Sequence, residues 1–295
     1  MMSSTHPMKN KIVVITGSTR GFGYAIAQAL LRAGATVVIS GRSQESLDSA
    51  VSSLGMLGPV SGILCDVREE QQVYSLARQA HDKYGRIDIW INNAGYSASA
   101  GMLLDIPPQH ALDMFLANDI GAVYGTRAAL GYMLPEKRGT LVNIYGNGSF
   151  LRPASPTGFY GATKAWLTSF TRSLASEIKG TGVQLLGFSP GMLLTDMLRS
   201  PVVMGERGRQ MLKNYGFVLR LLAGSPEKAA ERLVSLLSSN RREFLEYRTF
   251  KPWSPFFGLL RVAWENLTQT GKTPEFELRY QEPYQPDDRP QGKNG

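Results

Sequence analysis

Tyr160 and Lys164 lie four residues apart at the head of an apolar-periodic run that continues from Ala165 to Leu174. A helix would carry both side chains on one face, one turn apart. A phenol beside an ammonium can act as an acid near neutral pH, because the cation stabilises the phenolate. Tyr and Lys at this spacing are common on ordinary helices, so the pair gains meaning only from its surroundings. A second kind of chemistry comes from Gly17-Ser18-Thr19-Arg20-Gly21-Phe22-Gly23. Its glycines let a turn tighten and bring backbone N–H groups up to a pyrophosphate at a helix N-terminus.

Both features need elements to hold them. Lys11 to Thr16 is a β-branched run without polar alternation, the pattern of a strand buried on both faces of a parallel sheet. The glycine turn follows at once, then a helical segment from Tyr24 to Ala33 and a second strand from Thr36 to Ser40. Together they make a βαβ unit. The alternation continues with a strand ending at Asp66-Val67, helix 71–84, strand 87–91, helix 109–134 and strand 140–144. Helix 161–179, strand 183–188 and a helix 226–238 capped by Ser225 complete it. Asp66 is expected to cap the helix that follows it. Right-handed crossovers of this kind build an α/β doubly wound parallel sheet, with a ligand crevice at the C-terminal ends of the strands. Residues 10–245 read as one domain, preceded by a disordered stretch 1–9 and followed by an extension 246–295.

Composition narrows the function classes. A single cysteine, Cys65, excludes an internal disulfide, and three scattered histidines make no metal site, so no metal is assigned and a cytoplasmic protein is expected. The net charge of +8 is spread along the chain, which suits a solvated surface and a pocket for an anionic cofactor and argues against a nucleic-acid partner. The N-terminus lacks a signal-like apolar region, and no stretch approaches the ~20 apolar residues that a membrane span needs.

Read with Thr16, the spacing Gly-x-x-x-Gly-x-Gly resembles the short-chain dehydrogenase/reductase family of Rossmann-fold, NAD(P)-dependent oxidoreductases. Further marks stand in order: Asp66-Val67, Asn92-Asn93-Ala94-Gly95, Asn118, and Pro190-Gly191 with Thr195. The resemblance covers roughly residues 10 to 245. It implies that Gly17, Ser18, Thr19, Arg20, Gly21, Phe22 and Gly23 cradle the dinucleotide and that Asp66 and Val67 contact adenine. Asn93, Ala94 and Gly95 would line the cofactor site, while Pro190, Gly191 and Thr195 grip the nicotinamide end. Tyr160 would donate a proton to the substrate carbonyl as hydride arrives. Lys164 would lower the tyrosine pKa and hold the ribose, and Asn118 would anchor a relay water. The two long helices imply a homodimer or homotetramer.

After the second strand comes Ser40-Gly41-Arg42, without the carboxylate that accepts hydrogen bonds from the ribose of NAD. Arg20 and Arg42 can instead clamp a 2′-phosphate, which favours NADP(H). The family's carbonyl-binding serine normally lies about thirteen residues before the tyrosine, where this chain has Tyr145, Gly146 and Asn147. Ser149, eleven residues before Tyr160, is the first choice for that role, and the amide of Asn147 is the alternative. The loop Gly146-Asn147-Gly148-Ser149 followed by Tyr160-Gly161-x-Thr163-Lys164 resembles, within the family, chlorophyll(ide) b reductases, which reduce a formyl group on a large tetrapyrrole.

Residues 192–224 carry Met197, Leu198, Met204, Met211, Phe217 and Leu219. They read either as a lid over a bulky apolar ligand or as packing under a helix. Residues 252–264, strongly apolar with one charge, could cover the pocket, join a subunit interface or lie on a membrane surface. The last dozen residues have a disordered composition. The leading reading is an NADP(H)-dependent oxidoreductase acting on a hydrophobic carbonyl or alcohol. A non-catalytic NADP(H)-binding sensor or scaffold and a peripheral membrane-associated reductase stand as alternatives.

Overall fold

A strand that is apolar at every position must be covered on both sides, and the order of elements supplies that cover. The computed structural model describes residues 6–151, 153–251 and 253–286. The first half runs β1 (Ile12–Ile15), α1 (Gly21–Arg32), β2 (Thr36–Gly41), α2 (Gln44–Gly55), β3 (Val60–Leu64), α3 (Glu70–Tyr84), β4 (Ile89–Asn92) and β5 (Ala100–Gly101). Then come α4 (Pro108–Phe115), a π-helical turn (Leu116–Ile120), α5 (Gly121–Glu136), β6 (Thr140–Ile144), α6 (Gly158–Glu177) and β7 (Gln184–Ser189). The chain continues with α7 (Asp196–Arg199), β8 (Val202–Met204), α8 (Gly205–Met211), α9 (Tyr215–Leu222), α10 (Pro226–Ser239), β9 (Phe244–Arg248), α11 (Ser254–Leu267) and β10 (Arg279–Gln281).

Seven strands form one parallel sheet in the order β3-β2-β1-β4-β6-β7-β9. Successive strand residues point to opposite faces, and each face has its own core. Val13, Ile15, Val37, Ile39, Ile91 and Ile144 pack against α1, α2 and α10. Val14, Val38, Trp90, Leu141 and Leu185 pack against α3, α5 and α6. Each fully buried aliphatic side chain contributes roughly 1.5–3 kcal/mol, so absence of alternation is what a two-faced core requires. The order reverses between β1 and β4, and a crevice therefore opens beyond their C-terminal ends.

Several expectations shift in detail. Residues 1–5 lie outside the described residues, but Met8 is buried in the core and its N–H donates to the Ala33 carbonyl, so the N-terminal arm is structured before residue 10. The domain boundary expected at 245 falls inside β9, the seventh strand of the sheet. β9 contains Glu246 and Arg248, so it lacks the apolar run that marks the inner strands. The long helix expected over 109–134 is broken by the π-helical turn at Leu116–Ile120, which inserts an extra residue. Ser225 does cap α10, accepting from the Lys228 N–H.

Residues 202–204 and the tail meet in a second, three-stranded sheet, β10-β8-β5. Of the last dozen residues, 287–295 lie outside the described residues, while the Tyr284 N–H donates to the Asp105 carbonyl.

Candidate active site

The crevice begins where two strand ends touch. The Thr16 hydroxyl, just beyond β1, accepts from the N–H groups of Asn93 and Ala94, just beyond β4, at 3.1 Å each. Asn93 returns its amide to the carbonyls of Thr16 and Gly17. The contact is so close that a Cβ at Gly17 would come within 2.8 Å of the Ala94 backbone, and one at Gly23 within 2.4 Å of the Asn93 amide. No other residue fits at either point. Helix α1 then starts with no side-chain cap and no acidic residue in its first turn. Its leading N–H groups thus suit a pyrophosphate.

Not every residue of this turn points outward. Ser18 is fully buried, donating to the Ile15 carbonyl and accepting from the Ser40 N–H, so its hydroxyl ties β1 to β2. Phe22 stacks on Phe188 in the core. Arg20 and Arg42 are exposed, and Arg20 lines a cavity of about 410 Å³ with Thr19, Tyr24 and Ser46 at the start of α2. Thr195 lies against Gly21, its methyl 3.8 Å from where a Cβ would stand. Pro190 is buried, and Gly191 adopts φ +85° at the end of β7.

Asp66 does not cap α3. Glu69 occupies the position before that helix, and the Asp66 carboxylate instead accepts from the Arg68 N–H and guanidinium. Burial pushes this carboxyl up, but the Arg68 hydrogen bonds and the charges of Arg68 and Arg42 hold it below its ordinary value. Val67 packs against the start of α5, where a Cβ at Gly121 would meet it at 2.9 Å.

The α6 face carries Tyr160 and Lys164 as the spacing requires. Lys164 is buried, with Nζ donating to the Ile144 carbonyl at 3.1 Å and standing 5.7 Å from the Tyr160 ring centroid. Asn118 sits in the π-helical turn opposite. Its amide donates to the Tyr96 carbonyl and the Thr163 hydroxyl, and its oxygen accepts from the Tyr96 N–H. The backbone of Gly95 packs between them, 2.8 Å from the Asn118 oxygen and 3.6 Å from Lys164 Nζ as measured from a Cβ built there.

The third member departs from expectation. Ser149 is buried, donating to the Lys164 carbonyl and accepting from the Gly146 N–H. Any hydrogen bond from it to a substrate carbonyl would compete with its donation to Lys164. Gly146 lies against Tyr160 so closely that a Cβ would come within 2.4 Å of the phenol oxygen, leaving no room for a side chain there. Tyr145 turns the other way and donates to Glu246 on the edge strand. Asn147 is exposed on the same loop.

Electrostatics bring in a residue that the sequence does not single out. Asp119, next to Asn118, is fully buried, and neither carboxylate oxygen has a hydrogen-bond partner. Burial pushes it up to about 7, against the nearby charge of Lys164. Burial in turn lowers Lys164 to about 8, against the pull of Asp119. Tyr160 is pushed up to about 12 by burial. The expected depression by Lys164 is not what this geometry delivers, because the ammonium is turned to the Ile144 carbonyl and is itself desolvated. Burial thus holds the proton on the phenol more tightly, and giving it up requires the Lys164 cation to face the oxygen. The sequence gives little signal for Asp119, which follows Asn118 in a stretch that also carries Asp113.

Residues 11–202 match the profile of the family described as short chain dehydrogenase. The chain is 39% identical over 230 residues to the rice protein named chlorophyll(ide) b reductase NOL, chloroplastic, covering 75% of this chain and 65% of that protein. The Arabidopsis thaliana protein of the same name is 38% identical, with 75% and 64% covered. This chain thus spans a little under two thirds of the length of these relatives. A bovine protein, dehydrogenase/reductase SDR family member 4, is 30% identical over 84% of this chain and 88% of its own. Among solved structures, a short-chain dehydrogenase from Streptomyces avermitilis superposes with a TM-score of 0.70 at 26% identity, over 88% of this chain and 96% of the other.

Proposed function

The chain belongs to the short-chain dehydrogenase family, and from that premise we propose that it is an oxidoreductase passing hydride between NADP(H) and a carbonyl or alcohol carbon of a bulky hydrophobic substrate. The observation that carries the reading is half-buried Tyr160 with buried Lys164 beside Asn118, at the crevice where the strand order reverses. A bound nicotinamide dinucleotide supplies or accepts the hydride. Tyr160, a neutral phenol at neutral pH, gives its proton to the carbonyl oxygen. Lys164, 5.7 Å from the Tyr160 ring centroid, stabilises the phenolate left behind when its ammonium turns from the Ile144 carbonyl toward the phenol. Asn118 fixes the π-helical turn against Tyr96 and Thr163 and holds the relay position.

Ser149 acts as a positioning residue, holding Gly146 against the phenol. The donor assigned to the substrate oxygen is the amide of Asn147. Support for NADP(H) comes from Arg20 and Arg42, both exposed, and from the absence of a carboxylate directly after β2. The name of the rice and Arabidopsis relatives, with the Gly146–Ser149 loop, supports a formyl-bearing tetrapyrrole as the substrate class. A homo-oligomer is supported by exposed Leu112, Leu134 and Trp166 on α4, α5 and α6; sedimentation showing only monomer would overturn that part.

The test follows NADPH consumption with a panel of aldehydes and ketones that includes a formyl tetrapyrrole. Tyr160→Phe is expected to cut turnover by about 10²–10⁴-fold while NADPH still binds. Tight NADPH binding with no Tyr160-dependent turnover would sink the enzymatic reading.

A further inference from the structure

Helix α11 lies outside the doubly wound sheet and packs on α9 in the lid segment. Gly258 makes the contact possible, since a Cβ there would come within 2.5 Å of the Leu221 carbonyl. Val262 is buried one turn later, and Glu265 pairs inward with Arg220 at 3.2 Å. Among the described residues, the opposite face has no such partner. Trp253, Phe256, Phe257, Leu260, Trp264 and Leu267 follow helical spacing along one stripe and are 56, 59, 60, 53, 66 and 78% exposed. No acidic residue interrupts it.

An apolar stripe of this size on a charged protein marks a contact surface. Its chemistry selects the partner. Aromatic rings dominate it, with a tryptophan near either end, and such rings favour the boundary between lipid headgroups and acyl chains. The surroundings are basic: Lys251 stands over the Trp253 ring at 5.6 Å, and the cleft behind the helix is lined by Arg199, Arg220, Arg261 and Lys272 against Glu227 and Glu265. The chain as a whole carries +8. Fourteen residues of helix reach only ~21 Å, and no helix among the described residues is long and apolar enough to cross a membrane. The stripe therefore suits lying on a bilayer.

We propose that α11 is an interfacial helix that lays its aromatic face on an anionic lipid bilayer and thereby sets α9 at the bilayer surface. That a substrate would then enter from the membrane rests on the reading of 192–224 as a substrate lid; the lipid contact itself does not.

The full-length protein is mixed with vesicles of phosphatidylcholine containing phosphatidylglycerol, and with vesicles of phosphatidylcholine alone. The expected result is co-sedimentation that is stronger on the anionic vesicles, with Trp fluorescence quenched by brominated acyl chains. The triple variant Phe257→Ser, Leu260→Ser, Trp264→Ser is expected to lose at least about tenfold in bound fraction, with NADPH binding and turnover of a water-soluble aldehyde unchanged. Quenching in the wild type supplies evidence that does not depend on the variant folding. The proposal is overturned by absent vesicle binding, by binding indifferent to the triple variant, or by a wild-type dimer that the variant converts to monomer. Vesicle binding without turnover would count against the enzymatic reading alone, and turnover without vesicle binding against this one alone.

Discussion

Two buried polar regions, one on the sheet at Asn92 and one on the π-helical turn at Asp119, are built on opposite terms. Around Asn92 every partner is present: its amide donates to Asn143, Thr126 and the Ala122 carbonyl, and its oxygen accepts from the Trp90 ring N–H. Asn143 passes the chain on to Thr171 in α6. Asp119, in the π-helical turn beside α6, is as deeply buried and has no hydrogen-bond partner for either oxygen. A satisfied network costs little and fixes geometry. An unsatisfied carboxylate costs stability, and it survives here next to the one buried lysine of the site. The first region holds the floor of the crevice still. The second sets the charge above it.

The comparison breaks first at Asn92. Asn92→Leu strands the Trp90 N–H and the Asn143 and Thr126 oxygens, so a loss of about 3 kcal/mol or more is expected in urea denaturation. A loss near zero would mean that the network does not hold the layer together. Gly23→Ala comes next. The added methyl meets the Asn93 amide and the Gly17 carbonyl at 2.4 and 2.5 Å, and NADPH affinity is expected to fall by roughly 10–100-fold in a fluorescence titration.

Asp119→Asn should act with the opposite sign. The folded-state pKa is raised from 3.8 to about 7. Between those values the folded protein holds a proton that the unfolded chain has released, so this group makes stability fall as pH rises through that window. Removing the charge should therefore raise thermal stability by about 1–2 kcal/mol at pH 8 and by almost nothing near pH 4. Equal effects at both pH values would show that the carboxylate is paired after all.

The smallest effect is expected in the same variant. Lys164 is lowered to about 8 by burial, and Asp119 opposes that fall. With Asp119 neutral, the alkaline limb of the turnover profile, where the Lys164 cation is lost, should move to lower pH by a fraction of a unit to about one unit. An unmoved limb would separate the two groups.

How much of the fold and site is legible in the sequence follows from how local each constraint is. Ile12-Val13-Val14-Ile15 carries its own instruction, because an unbroken β-branched run can only be buried on both faces. The glycine turn is legible for a similar reason: Gly17 and Gly23 stand where any side chain would strike the neighbouring strand end. Tyr160 and Lys164 follow from helical spacing alone. Asp119 cannot be read this way. That two adjacent polar residues, Asn118 and Asp119, both turn inward depends on the extra residue of the π-helical turn, and nothing in Leu116-Ala117-Asn118-Asp119-Ile120 announces that turn. Ser149 is turned inward by a loop that passes through φ +95° at Gly148 and packs backbone to backbone on Gly161. Asp66 has the residue type and position of a cap, but Arg68, two residues on, is the stronger partner. The outer strands β9 and β10 escape a sequence reading because edge strands carry charge and lack the apolar run of inner ones.

The small sheet has a mechanical meaning. Its middle strand, Val202–Met204, is gripped on one side by Ala100–Gly101 from the body and on the other by Arg279–Gln281 from the tail. Arg279 reinforces the grip through the Ser200 and Pro201 carbonyls. A segment clamped along both margins cannot swing like a door on one hinge. It has to unzip along one margin first, and the tail supplies the longer of the two, three paired residues against two. A chain ending near residue 270 should thus leave Val202–Met204 held on one side only and show faster amide hydrogen exchange there.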